Sequence, residues 1–139
     1  MTATRATLLA LAERVEAATG ADRELDGLVF AHMNPDKRVI IGQKPGRFPQ
    51  DPIYGGPLDI IWIDGFADVL GAPRYTASLD AAMSLVPSGH EWSVNWCGNS
   101  VANVNEIGVD YPVHCGGAST PALALTAASL RAIAGSMTD

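Results

Sequence analysis

The amino-acid sequence predicts an α+β fold in which a small antiparallel sheet packs between helices. Three stretches carry that reading. Tyr75 to Pro87 has apolar residues at helical spacing and ends in Pro87-Ser-Gly89. Trp92-Ser-Val-Asn-Trp96 alternates apolar and polar side chains, and Val101 to Val104 returns after Cys97-Gly-Asn-Ser100. Ser119 to Ala132 is rich in Ala and Leu and opens on Thr120-Pro121, a capping residue followed by a proline at the first helical position.

Taken from the start, residues 4–18 carry Leu8, Leu11 and Val15 on one helical face, with Gly20 as the stop. This amphipathic pattern runs on through Glu13, Arg14 and Glu16, so it reads as a helix of the fold rather than a signal peptide. Asp22 is positioned to cap a second helix with Leu25, Leu28 and Val29 on one side and Pro35 beyond its end. Val39-Ile-Ile41 and Leu58 to Ile63 read as buried strands. Between them, residues 42–57 are a Gly- and Pro-rich irregular loop, an insertion within one domain spanning 1–139. Residues 65–73 have room for one helical turn. Thr76 is the predicted cap of the next helix, whose stripe is Leu79, Ala82, Met83 and Val86. Asn105 to Gly117 reads as a second loop. In the last helix Leu123, Ala127, Leu130 and Ala134 share the inner face, and its alanines let it approach the sheet closely.

Composition narrows the function. Apolar residues make up 47% of the 139 residues and charged ones 17%, so much of the chain is buried or packed on a partner; a homodimer is one way to cover the excess. The net charge of −6 disfavours direct binding to nucleic acid or an anionic membrane, because both need a basic surface. No apolar run is long enough to span a membrane. Cys97 and Cys115 do not make a disulfide framework and read as buried free thiols.

Four groups of residues are candidates for chemistry. Lys37, Arg38, Lys44 and Arg47 are four of the nine basic side chains and lie close together. Arg47 in the Lys44-Pro-Gly-Arg-Phe48 loop can reach phosphate oxygens, and Phe48 can stack. The commoner role of such charges is to balance Asp51, Asp59, Asp64 and Asp68, which follow in a stretch without basic residues and form an acidic protein-interaction candidate. Trp62, Trp92 and Trp96, with Tyr54, Tyr75 and Tyr111, form either a stacking wall or core; Trp92 and Trp96 share one strand face. Cys115-Gly-Gly-Ala-Ser-Thr120 precedes a helix, but without a phosphate-loop lysine it reads as ordinary capping. His90, Cys97, His114 and Cys115 lack the spacing of a zinc site or a nucleophile pair. No catalytic motif stands out, and no cofactor or metal is expected.

The pattern Tyr75-Thr-Ala-Ser-Leu-Asp-Ala-Ala82, Leu85-Val-Pro87, Trp92-Ser-Val94 and Thr120-Pro-Ala-Leu-Ala-Leu125, with the Ala-rich helix that follows, resembles the phage α-β-α sandwich domain family. The resemblance covers residues 75–134, and the helix at 22–33 more loosely; residues 36–74 look longer than is usual there. It implies a small phage or prophage accessory protein in the cytoplasm of a bacterial host. It supplies no catalytic residues. Such a protein is expected to be non-enzymatic and to antagonise a host defence protein by occupying it. The alternatives are capture of a small phosphorylated or nucleotide signal, and a structural or assembly role in the virion.

Overall fold

The computed structural model describes residues 4–35, 39–42, 60–63, 73–109 and 112–137. In chain order the elements are α1 (Arg5–Ala17), α2 (Arg23–Met33), β1 (Val39–Gly42), β2 (Ile60–Ile63), α3 (Leu79–Met83), β3 (His90–Cys97), β4 (Asn99–Glu106), β5 (His114–Ala118) and α4 (Pro121–Gly135). They divide into two compact units. The class is the expected one: α+β, with an antiparallel sheet packed against helices.

The larger unit is built around α4. Thr120 caps this helix by accepting the Leu123 N–H at 3.2 Å, and Pro121 sits where no N–H is needed. The inner residues Leu123, Ala127, Leu130 and Ala134 are all buried, but so are Ala122, Leu125, Ala128 and Ala132. The helix is apolar nearly all round because it is covered nearly all round. α1 packs beside it through Leu8, Leu11, Ala12 and Val15. Thr4 and Thr7 close the first turn of α1 reciprocally, each side chain accepting the other's backbone N–H at 3.2 and 2.9 Å.

Strands β3, β4 and β5 form a three-stranded antiparallel sheet in that order. The register sets Trp92 opposite Val104, Val94 opposite Ala102 and Trp96 opposite Ser100; Ala102 in turn faces Gly116. All of these lie on one face, and Ala102, Val104, Gly116 and Ala118 are buried there beneath α4. The opposite face carries Glu91, Ser93, Asn95, Val101, Cys115 and Gly117, all exposed.

Two strands depart from the sequence reading. The returning strand β4 is longer than Val101–Val104, and the predicted loop at 105–117 holds all of β5 but its last residue. Gly116-Gly117 resembles loop punctuation, yet Gly116 is in a strand because of what lies over it. A Cβ there would stand 2.3 Å from the Ala124 carbonyl oxygen and 2.7 Å from the Ala128 nitrogen. The missing side chain lets the backbone of α4 rest directly on the sheet.

α3 is also shorter than expected, and its cap is Ser78, which accepts the Ala81 N–H at 3.3 Å. Thr76 does other work. Its buried hydroxyl accepts the Asp22 N–H at 2.8 Å and donates to the Asp22 carbonyl at 3.1 Å. Ala82 is buried as predicted, whereas Met83 is 41% exposed and Leu85 takes its place inside.

The smaller unit contains α2, β1 and β2. The two strands pair antiparallel, Val39 with Ile63 through Gly42 with Ile60, and α2 packs against them. Asp26 on α2 is buried and receives a hydrogen bond from Arg23 Nη1 at 3.0 Å. The predicted helical turn at 65–73 and the loop at 42–57 lie almost wholly outside the described residues.

Candidate functional site

The sheet offers three places where chemistry or recognition can happen: its two edges and the end formed by the β4–β5 connection. The connection begins where the β3–β4 ladder runs past its last strand pair, His90 with Glu106. The Gly89 carbonyl accepts the Ile107 N–H at 2.9 Å, and the Val109 N–H turns back to the Glu106 carbonyl at 3.2 Å. Gly108 makes that turn at φ +81°, a conformation other residues rarely adopt. Asn105 braces it from the open face of the sheet: its amide reaches the Glu91 carboxylate, the Glu106 carbonyl and the Val109 carbonyl, each at 3.2 Å. The braced turn holds Ile107 out into solvent at 64% exposure, with Val109 and Val113 also exposed. Glu91 and Glu106 are exposed beside it.

The β5 edge is closed differently. Arg131 on α4 pairs with Glu16 on α1. The Gly117 N–H donates to Glu16 Oε2 at 2.8 Å, and Arg131 Nη1 donates to the Cys115 carbonyl at 2.8 Å. Both backbone groups point away from β4, so this ion pair stands where a further strand would. The Arg131 hydrogen bond holds the Glu16 carboxyl below its ordinary range against the opposing effect of burial, and Glu16 pushes the guanidinium up.

Cys115 sits on this strand as an exposed free thiol, which corrects the expectation of a buried one. Its Sγ donates to Asn103 Oδ1 at 3.1 Å across the strand pair. Alternation along β5 places the Cys115 side chain on the open face and Gly116 beneath α4. His114 is half-buried near Gly135, at the far end of α4, and burial pushes its imidazole below the ordinary range.

Compared with known protein families, curated proteins and solved structures, the chain matches none.

Of the sequence-predicted aromatics, Trp92 and Trp96 do share a face; Trp92 is half-buried and Trp96 is 64% exposed. Tyr75 is buried and belongs to the core. Trp62 lies in β2, in the other unit. The loop residues Lys44, Arg47 and Phe48, the carboxylates Asp51, Asp59, Asp64 and Asp68, and Tyr54 and Tyr111 lie outside the described residues. The glycines of Cys115-Gly-Gly-Ala-Ser-Thr120 belong to β5, and Thr120 is an ordinary cap. Among the described residues no helix is long and apolar enough to cross a membrane.

Sequence reasoning missed Ile107, Val109, Glu16 and Arg131. The first two carry a signal, since apolar residues flanking a turn glycine have little to bury against. Glu16 and Arg131 carry none, because 115 positions separate them.

Proposed function

We propose that this chain is a phage or prophage accessory protein that binds a host protein, most directly a defence protein, and acts by occupying it. The braced turn at Ile107 carries this reading. Asn105 and Gly108 fix the turn at residues 106–109 before any partner arrives, so presenting Ile107 and Val109 costs little ordering on binding. Apolar anchors bordered by Glu91 and Glu106, on a chain of net charge −6, suit a partner with an apolar recess and a basic rim. The phage context rests on the resemblance of residues 75–134, and the host cytoplasm follows from it.

The test begins with native mass spectrometry of the chain purified gently from host cells, to identify a bound protein. Affinity is then measured with that protein. Ile107→Ser with Val109→Ser is expected to weaken it by at least about tenfold. Glu91→Gln with Glu106→Gln is expected to slow association and flatten its salt dependence. Unchanged affinity in the Ile107/Val109 variant would sink the reading.

A second reading, capture of a small phosphorylated ligand, is favoured by one observation: Trp92 and Trp96 share a face and Trp96 is open for stacking. Failure of Trp96→Ala to change nucleotide affinity would exclude it.

A further inference from the structure

The two edges of the three-stranded sheet are treated in opposite ways. At β5 the outward N–H of Gly117 and carbonyl of Cys115 are satisfied by Glu16 and Arg131. At β3 the outward groups follow from the ladder. The Gly89–Ile107 bond fixes its phase, because bonded pairs alternate in an antiparallel ladder. Glu91, Ser93 and Asn95 thus exchange bonds with β4, and the N–H and C=O groups of Trp92, Val94 and Trp96 point to the free edge. Among the described residues nothing pairs with them. None of the usual guards of an edge, a lysine, a proline or a bulge, is present on β3.

We propose that the β3 edge is a homodimer interface, two copies pairing antiparallel about a two-fold axis at Val94 to form one continuous sheet. The strand's own sequence specifies the second copy. Trp92-Ser-Val-Asn-Trp96 has the same apolar residues read from either end. Antiparallel pairing centred on Val94 sets Val94 against the partner's Val94 and Trp92 against the partner's Trp96, with matched N–H and C=O groups between them. Self-complementarity of this kind is what an isologous interface requires. Charge permits it as well. Glu91 is the one carboxylate on β3, and this register sets it opposite the partner's Cys97, so the two strands meet with no carboxylate facing another. Space permits it too: α4 lies over β4 and β5 and touches β3 least. That leaves Trp96 at 64% exposure and Trp92 and Val94 half-buried. Paired tryptophans across the new strand junction would cover one another.

The experiment is sedimentation equilibrium of the full chain over a dilution series, with tryptophan emission recorded alongside. A concentration-dependent dimer is expected, its emission shifting to the blue as Trp92 and Trp96 are covered and shifting less in Trp96→Phe, which leaves only Trp92 at the junction. Trp96→Lys, at an exposed position, should leave the circular dichroism unchanged and weaken the dimer by at least about tenfold. Val94→Pro removes an outward N–H, a position at which an edge strand tolerates proline, and should do the same. A monomer at every concentration, or a dimer that Trp96→Lys leaves intact, would overturn the proposal.

Discussion

Glu16 and Arg131 meet at the open edge of β5 from two different helices, and together they hydrogen-bond the Gly117 N–H and the Cys115 carbonyl. The pair therefore joins α1, α4 and the sheet at one point. Both side chains are 25% exposed, so water competes for the bonds and the Coulomb attraction alone is worth little. The backbone contacts raise the stakes, because losing the carboxylate strips an acceptor from Gly117 and leaves the Arg131 charge without its counter-ion.

Glu16→Ala is accordingly expected to cost about 1–2 kcal/mol of stability in urea denaturation. The pH dependence has a definite sign. Glu16 titrates below its ordinary value of 4.5 in the folded chain, so its contribution is complete above pH 4.5 and is lost as pH falls through the folded value. Glu16→Gln should lose stability at neutral pH and lose less than the parent on acidification below about pH 4.5. Parallel acid curves for the two proteins would exclude this role.

How much of this was legible in the sequence depends on whether the reason for a residue is local. Thr120-Pro121 announces the start of α4 because cap and proline act within one turn. Trp92, Val94 and Trp96 announce a strand because alternation is a local period. Thr76 reads as a cap for the same local reasons, but its hydroxyl is recruited by Asp22, 54 positions away. Gly116 reads as a loop because what needs it, the backbone of α4, comes later in the chain. The loop residues Lys44, Arg47 and Phe48 form a candidate site that the described structure does not reach.

Gly116 supports the sharpest stability contrast. Its absent Cβ would press on Ala124 and Ala128 backbone atoms, which cannot rotate away, whereas nothing lies within 4 Å of a Cβ at Gly117. Gly116→Ala should cost about 3 kcal/mol or prevent folding, by forcing α4 off the sheet. Gly117→Ala, in the next position of the same strand, should be close to neutral. Thermal denaturation of both variants decides it, and equal effects would show that α4 does not depend on the close approach.

Two buried hydroxyls on α4 should respond with opposite signs. Thr126 donates to the Tyr75 carbonyl at 3.1 Å, tying α4 to the segment ahead of α3. Thr126→Val removes that bond and leaves a buried carbonyl, at a cost of about 1–3 kcal/mol. Ser129 is equally buried, but its Oγ has no hydrogen-bond partner among the described residues. Ser129→Ala removes an unpaired polar atom and adds a better helix former, so it should raise the denaturation midpoint. A drop in the midpoint of Ser129→Ala would mean that the hydroxyl is satisfied in solution.

His114 sets a second acid dependence, separate from that of Glu16. The imidazole lies where a Cβ on Gly135 would come within 2.7 Å of its Cε1, so the glycine makes room for the ring at the end of α4. Burial disfavours the charged ring, and the nearby His90 and Arg5 add to the effect, so the folded value lies below the ordinary 6.5. The unfolded chain therefore binds this proton more readily than the folded one. Stability from this residue is complete above about pH 6.5 and falls as pH drops through the folded value. Comparing urea midpoints at pH 7.5 and 5.5 should show a loss in the parent protein that His114→Gln reduces. Because Glu16 responds only below about pH 4.5, a loss confined to that lower range would assign the whole acid response to the β5 edge and none to the end of α4.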